Sequence, residues 1–315
     1  MPQIIAVDFG GTNIRVAYFP TAEPPPKKIS KSPTRASEGP EAVIARLEKA
    51  IQALIPKEHH DLRIGVASPG PLDPTRGVIL NAVNLPGWVE IPLKDKLETR
   101  FGLPVEIGND ANLAALGEWR FGAGRGTNNL VYLTISTGIG GGVIIDGRLL
   151  IGAQGLGAEI GHTTVNPEGP LCGCGQYGHL EAVAAGPAIA RQAMGLLESG
   201  RSSTLREKFE LNETLTSKDV GKAAQAGDAL ACEVIEQAGE YIGRALSDLA
   251  HIFNPEVFIL GGGVSQIGSL LFEPIDRALR SHIMHPAYVE DLRLLPAALG
   301  DDAGLIGAMV LVSKG

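Results

Sequence analysis

Apolar positions along this chain fall into two rhythms. Nearly continuous β-branched runs at residues 4–8, 14–19, 62–67 and 105–107 predict buried strands, and helical spacings near 41–55 and 111–121 alternate with them. Between the second strand and the first helix, residues 21–40 carry PPPKK, SP and GP and read as an exposed loop. At 121–129 the composition shifts to FGAGRGTNN, a glycine-rich connection. A strand at 130–136 follows, then a hairpin whose Asp146-Gly147 pair suits a type I′ turn. Helical patterns dominate from 180 to 253, a further strand at 257–260 runs into Gly261, Gly262 and Gly263, and a small-residue helix fills 302–312. The alternation predicts an α/β chain in two halves, with strand–glycine-turn units near residues 4, 130 and 257 and a ligand cleft between the halves.

Composition narrows the class of protein. At 315 residues the chain has room for two domains and a substantial core. Hydrophobic residues make up 44% and charged residues 20%, an ordinary globular balance. A net charge of −8 argues against a general nucleic-acid or anionic-membrane surface. The N-terminus enters a strand with no basic region or cleavage site ahead of it, and no apolar run reaches the length of a membrane span, so the expectation is a soluble, cytoplasmic protein. Three cysteines, two of them one residue apart, do not make a disulfide framework.

The candidate chemistry starts from two glycine turns, in IIAVDFGGTNI and TISTGIGGGVIIDG. Each is a strand, a turn bare enough for its backbone to approach a ligand, and a second strand. Asp8 closes the first strand where its carboxylate could face magnesium, and Thr12 and Thr137 place hydroxyls beside the glycines. No GxxxxGK[ST] string occurs, and the glycines at 138, 140, 141 and 142 lack the spacing and the following helix of a dinucleotide fingerprint. Either these glycines only turn the chain, or the pair clamps one polyphosphate.

In VEIGNDAN a strand ends on Asn109 and Asp110 and a helix begins. Two readings of Asp110 stand side by side: an N-cap, for which Asn and Asp are preferred, or a base taking the proton of a hydroxyl that attacks phosphorus. SPGPLD at 68–73 and NAVNLPGW at 81–88 offer backbone and amide groups suited to a polyol, and Glu159, His162 and Glu181 add to them. His162, Cys172, Cys174 and His179 lie within eighteen residues and read as a structural Cys2His2 zinc site in a Gly- and Pro-rich loop. The alternative is two small buried thiols and two surface histidines; a Cys172–Cys174 disulfide would be strained. If zinc binds, one nitrogen of His162 can take the metal while the other meets a substrate hydroxyl.

Together these motifs resemble the ROK family of repressors, open reading frames and sugar kinases, most closely its ATP-dependent bacterial glucokinases. DFGGTNIR, LNAVNLPGW, EIGNDANLAALGE, STGIGGGVIIDGRLLIGAQGLGAEIGH, CGCGQYGHLEA and NPEVFILGGGVS match family segments in family order across nearly the whole chain. The resemblance implies an actin-like (ribonuclease H-like) ATPase fold of two α/β domains. The boundaries expected are 1–115 for a small domain, completed by a helix at 301–315, and 116–300 for a large domain carrying the zinc loop. It implies ATP with magnesium and phosphorylation of a hexose, glucose first, at its 6-hydroxyl, the opening step of glycolysis.

Carried over by position, Asp110 is the base, and Asn84, Asn109, Glu159, His162 and Glu181 hold sugar hydroxyls. Gly10, Gly11, Thr12, Thr137 and Gly138 line the phosphates, Asp8 lies near magnesium, and Gly262 and Gly263 sit beside the adenosine. Zinc falls on His162, Cys172, Cys174 and position 179, where the family usually has a third cysteine and this chain has His179. The resemblance also implies a homodimer or homotetramer. Mannose, fructose, N-acetylglucosamine or N-acetylmannosamine as acceptor, polyphosphate as donor, and a non-catalytic sugar sensor stand as alternatives. A DNA-binding repressor is disfavoured, because the first nucleotide strand begins at Ile4 and the charge is acidic.

Overall fold

The computed structural model describes residues 1–82 and 85–313. Its strands are β1 (Gln3–Phe9), β2 (Asn13–Phe19), β3 (Lys28–Pro33), β4 (Leu62–Ser68), β5 (Leu72–Asp73), β6 (Val78–Asn81), β7 (Val89–Ile91), β8 (Val105–Asn109), β9 (Leu130–Ile135), β10 (Ile139–Ile145), β11 (Arg148–Leu149), β12 (Val257–Gly261) and β13 (Arg293–Pro296). Its helices are α1 (Pro40–Gln52), α2 (Leu93–Phe101), α3 (Asp110–Phe121), α4 (Leu180–Ala184), α5 (Gly186–Glu198), α6 (Arg206–Glu210), α7 (Ser217–Gln225), α8 (Ala229–Phe253), α9 (Ser269–Ser281) and α10 (Ala303–Ser313).

Two five-stranded sheets have the same plan. The first runs β3-β2-β1-β4-β8 and the second β11-β10-β9-β12-β13. In each, the first three strands of the half meander antiparallel and the last two join parallel. A small sheet, β5-β6-β7, branches from the first half.

Layering follows from where the apolar faces go. In α1, Val43, Ile44, Leu47 and Ile51 form one buried stripe, which packs with Leu93 and Leu97 of α2 on the Ile5, Val7 and Phe9 face of β1. The opposite face, Ile4 and Ala6, is covered by α10. That helix is apolar all round, as expected of one buried on every side. Ala114 and Ala115 of α3 meet Tyr132 and Ile144 of the second sheet, whose far face is covered by helices including α5, α8 and α9. α3 and α10 therefore lie between the sheets, and each strand of the sheet centres is buried on both faces.

Two features differ from the sequence reading. Residues 21–40 contain β3, a lysine-bearing edge strand paired antiparallel with β2, rather than loop throughout. Gly140, Gly141 and Gly142 lie inside β10, not in the turn that precedes it. Their role there is close approach: a Cβ on Gly142 would sit 2.4 Å from the Ala115 Cβ and 3.0 Å from the Ala111 carbonyl oxygen, so only a bare strand lets α3 lie against this sheet. The Asp146-Gly147 turn conforms to expectation, with φ of 50° and 69° joining Ile145 to Arg148. Among the described residues no helix is long and apolar enough to cross a membrane.

Candidate active site

Parallel pairing brings the chemistry to one edge. Register places Asp8 of β1 beside Ala67 of β4, and Ser68 beside Asn109 of β8, so the carboxylate of Asp8, the 68–73 turn and the start of α3 emerge together. In the second sheet Thr134 of β9 pairs Gly261 of β12, which brings the 136–138 turn alongside Gly262 and Gly263.

Both turns are tight. The Gly10 N–H donates to the Asn13 carbonyl at 2.9 Å, and the Ser136 N–H to the Gly138 carbonyl at 2.8 Å. Gly262 has φ of 84°, and a Cβ there would lie 2.3 Å from the Ile135 carbonyl oxygen, so no other residue fits. A cavity of 770 Å³ opens beside the second turn, lined by Ser136, Thr137, Gly186 and Gly263 and by apolar groups such as Val264 and Ile267. Exposed Lys218 and Lys222, one turn apart on α7, line it as well.

The two readings of the Asn109–Asp110 pair resolve into a division of labour. Asn109 is the N-cap of α3: its Oδ1 accepts from the N–H groups of Ala111 and Asn112 at 3.0 and 3.1 Å. Asp110 is the first helical residue, and its Oδ1 accepts from Ala111 N–H at 2.8 Å. Burial pushes the Asp110 carboxyl up from 3.8 to about 6; the Ala111 N–H opposes the rise, and the carboxylates of Asp8 and Glu159 add to it. Asp8 is likewise raised to about 6 by burial, with Arg15 opposing and Asp301 and Asp302 adding. Glu159, which reaches solvent on one side, is raised by desolvation, with Glu181 adding and His162 opposing. These mutual influences join Asp8, Asp110, Glu159, His162 and Glu181 into one electrostatic neighbourhood. A Cβ on Gly70 would lie 3.0 Å from Asn109 Nδ2 and 4.0 Å from Glu159 Oε1, so the 68–73 turn converges on the same spot.

His162, Cys172, Cys174 and His179 come together, with one donor atom from each within 4.8 Å of the others. Short β-bridges, Thr164 to His179 and Leu171 to Tyr177, fold the loop back so that distant ligands meet. Cys172 Sγ lies 3.7 Å from His162 Nδ1, and Cys174 Sγ 3.2 Å from His179 Nδ1. A tetrahedral zinc with ordinary bond lengths needs S···N separations of about 3.5 Å, so this donor set fits, and all three cysteines are free thiols. His179 stands with the other three. Glu181 ties the cluster to the second glycine turn: Oε2 accepts the Ile139 N–H at 2.9 Å, and Oε1 lies 3.9 Å from Cys172 Sγ.

Asn84 lies outside the described residues. Trp88, in the same segment, is fully buried and packs at a tilt against Phe9 with ring centroids 4.9 Å apart, so it supports the turn rather than facing a ligand. Arg15 carries no assignment in the sequence reading, yet it bonds the Asp301 carbonyl and the Asp302 carboxylate and stands 4.0 Å from Asp8. A charged residue inside the apolar alternation of β2 was the available signal.

Duplicated sheets with paired glycine turns are the plan of an actin-like fold, and the relatives of the chain make it a phosphotransferase of the sugar-kinase class. The chain belongs to the ROK family, whose family model matches residues 4–315. It is 39% identical to the glucokinase of Halalkalibacterium halodurans, over 98% of this chain and 94% of that one. The structure of a ROK family glucokinase from Streptomyces griseus, in complex with glucose and AMPPNP, superposes with a TM-score of 0.83 at 35% identity, covering 99% of this chain and all (100%) of that one. An N-acetylmannosamine kinase of Shigella flexneri is 33% identical over 98% of this chain and 97% of that protein.

Proposed function

We propose that this protein transfers the terminal phosphoryl group of ATP to the 6-hydroxyl of glucose. The observation that carries the reading is Asp110: a carboxyl held at about 6, on the sheet edge it shares with the 68–73 turn and the first glycine turn. At neutral pH it is ionised and can accept a proton, while remaining basic enough to do so. Asp110 takes the proton from the 6-hydroxyl as that oxygen attacks the terminal phosphorus. The bond to the bridging oxygen breaks, and ADP leaves.

Asn109, Glu159, His162 and Glu181, with Asn84, hold the other hydroxyls. His162 turns Nδ1 toward Cys172, which leaves Nε2 for the sugar. Backbone N–H groups around Gly10, Gly11, Thr12, Thr137 and Gly138 receive phosphate oxygens, and Gly262 and Gly263 lie along the adenosine. Asp8 offers the single carboxylate that magnesium needs when phosphates and waters complete its shell. Magnesium supplies neutralisation of the phosphate charge when bound. Zinc, held by His162, Cys172, Cys174 and His179, fixes the loop that carries His162. The 1–115 segment with α10 forms the small domain and 116–300 the large one. The family resemblance supports a homodimer or homotetramer acting in the cytoplasm at the first step of glycolysis.

The apolar wall of the 770 Å³ cavity favours a nucleotide base over a bare phosphate chain as donor. An ADP-release assay over glucose, mannose, fructose and the two N-acetylated hexosamines, run with ATP, with polyphosphate replacing it under glucose 6-phosphate detection, tests the reading. The expected result is the highest kcat/KM with glucose and ATP. Turnover with none of the hexoses, or preference for another acceptor or for polyphosphate, overturns it.

A further inference from the structure

Glu118 lies near the C-terminal end of α3, two turns beyond Asp110, and its side chain is completely buried. Among the described residues, no lysine, arginine or histidine forms an ion pair with it. Three backbone N–H groups bond to it instead. Ala123 donates to Oε2 at 2.8 Å, Ala298 to Oε2 at 3.1 Å and Leu299 to Oε1 at 2.7 Å. Taking two charge-solvating donors from one segment and one from another, far away in sequence, is not what a helix cap does.

The positions of those donors give the arrangement its meaning. The chain passes between the two sheets at two places, from α3 to β9 through residues 122–129, and from β13 back to α10 through residues 297–302. Ala123 belongs to the first crossing, Ala298 and Leu299 to the second. One carboxylate therefore stitches both crossings to the helix that carries Asp110. The first crossing is further braced on α3: Gly122 and Gly124 donate to the Glu118 carbonyl, each at 3.0 Å, and Trp119 Nε1 donates to the Thr127 carbonyl at 2.8 Å. Charge-assisted bonds to backbone N–H groups in a dry site are strong and directional, whereas an unpaired buried carboxylate is costly. The three donors are thus fixed relative to one another as long as the carboxylate is intact.

We infer that Glu118 is a positioning residue, a clamp at the hinge that sets the angle between the halves so that Asp110 on one side and the nucleotide on the other meet in register. This rests on the kinase reading above. The proposed adenosine contacts, Gly262 and Gly263, and the 136–138 turn lie on the second half, while the first half reaches only the phosphates through the Gly10–Thr12 turn and Asp8, so loosening the clamp costs nucleotide binding far less than turnover. The step that needs both halves at once suffers instead, because small misplacement of reacting groups is expensive in rate.

The test compares the wild-type protein with Glu118→Gln and Glu118→Asp. Glutamine keeps the size, but loses the charge and turns an N–H toward one of the donors. Aspartate keeps the charge but withdraws it by one methylene. Each is assayed at saturating glucose and ATP well below its own Tm, with AMPPNP affinity measured separately by calorimetry. Wild-type turnover on a hexose is established first; its absence defeats the kinase reading and leaves the clamp to be judged by amide exchange at 123, 298 and 299, where the glutamine variant should exchange at least tenfold faster. With turnover established, the expected result for Glu118→Gln is a kcat at least tenfold lower with an AMPPNP Kd within twofold, and a smaller loss for Glu118→Asp. A kcat within twofold of wild type in a folded Glu118→Gln protein overturns the inference, since a merely structural glutamate would lower Tm alone. So does a parallel loss of AMPPNP binding. If the glutamine variant does not fold, Glu118→Asp decides: kcat at least threefold lower at unchanged AMPPNP Kd sustains the clamp, and an unchanged kcat rejects it.

Discussion

Replacing Asp110 by asparagine should make the protein more stable and nearly inactive at once, and the size of the gain follows from its surroundings. In the folded chain its carboxyl sits at about 6, against an ordinary 3.8, chiefly because it is buried. A carboxyl raised in this way favours the folded state only while protonated. Its contribution is complete below about pH 4 and is lost as pH rises through 6. The difference, at about 1.4 kcal/mol per pH unit, comes to about 3 kcal/mol at neutral pH and above. Asparagine carries no charge at any of these pH values, and its Oδ1 can still accept the Ala111 N–H now bonded at 2.8 Å. The expected gain in Asp110→Asn is therefore near zero at pH 4 and up to about 3 kcal/mol at pH 7.5, less whatever the new amide N–H leaves unpaired. Urea unfolding of both proteins at the two pH values, with m-values compared, reads it directly. Turnover should fall by about 10²–10⁴, the usual consequence of losing a general base. An equal change in stability at both pH values, or a loss at pH 7.5, would refute the electrostatic argument. Near-normal turnover would remove Asp110 from the chemistry.

Further expectations concern packing and metal. Gly142→Ala puts a methyl 2.4 Å from the Ala115 Cβ and should cost about 1–3 kcal/mol by overpacking. Because the displaced helix carries Asp110 at its start, kcat should fall with little change in nucleotide affinity; denaturant melts and kinetics on the same sample check both. Purified protein should contain one zinc per chain by elemental analysis, and His179→Ala or Cys172→Ser should lower that content and the Tm together, whereas full metal retention in His179→Ala would exclude position 179 as a ligand.

Much of this frame was legible from local pattern, because the signals that fix it are local. Strand–turn–strand at residues 3–19 needs only β-branched runs around a Gly-Gly, and the Asp146-Gly147 turn needs only two residues that tolerate positive φ. The His162, Cys172, Cys174 and His179 cluster was legible because all four side chains fall in one loop. What escaped depends on partners far along the chain. Arg15 reaches Asp301 and Asp302 across more than 280 residues, and Glu118 reaches Ala298 and Leu299 across 180 and 181. Neither spacing leaves a mark on periodicity. Gly140 and Gly142 look like turn residues in sequence for a related reason: glycine ordinarily turns the chain, and only the nearness of α3 explains bare positions within a strand. β3 leaves no clear signal because its sequence, KISKSP, is polar and lysine-rich, which suits a solvent-facing edge as well as a loop.

The repeated 3-2-1-4-5 sheet plan has an implication for direction. Both hairpins that could grasp the phosphates occupy equivalent stations in their sheets, yet only the first has an acid, Asp8, next to the end of its leading strand; the second ends on Ile135 and turns through Ser136 and Thr137. Two like jaws with unlike teeth give a symmetric scaffold a head and a tail, and under the proposed reaction that asymmetry sets which end of the triphosphate faces α3.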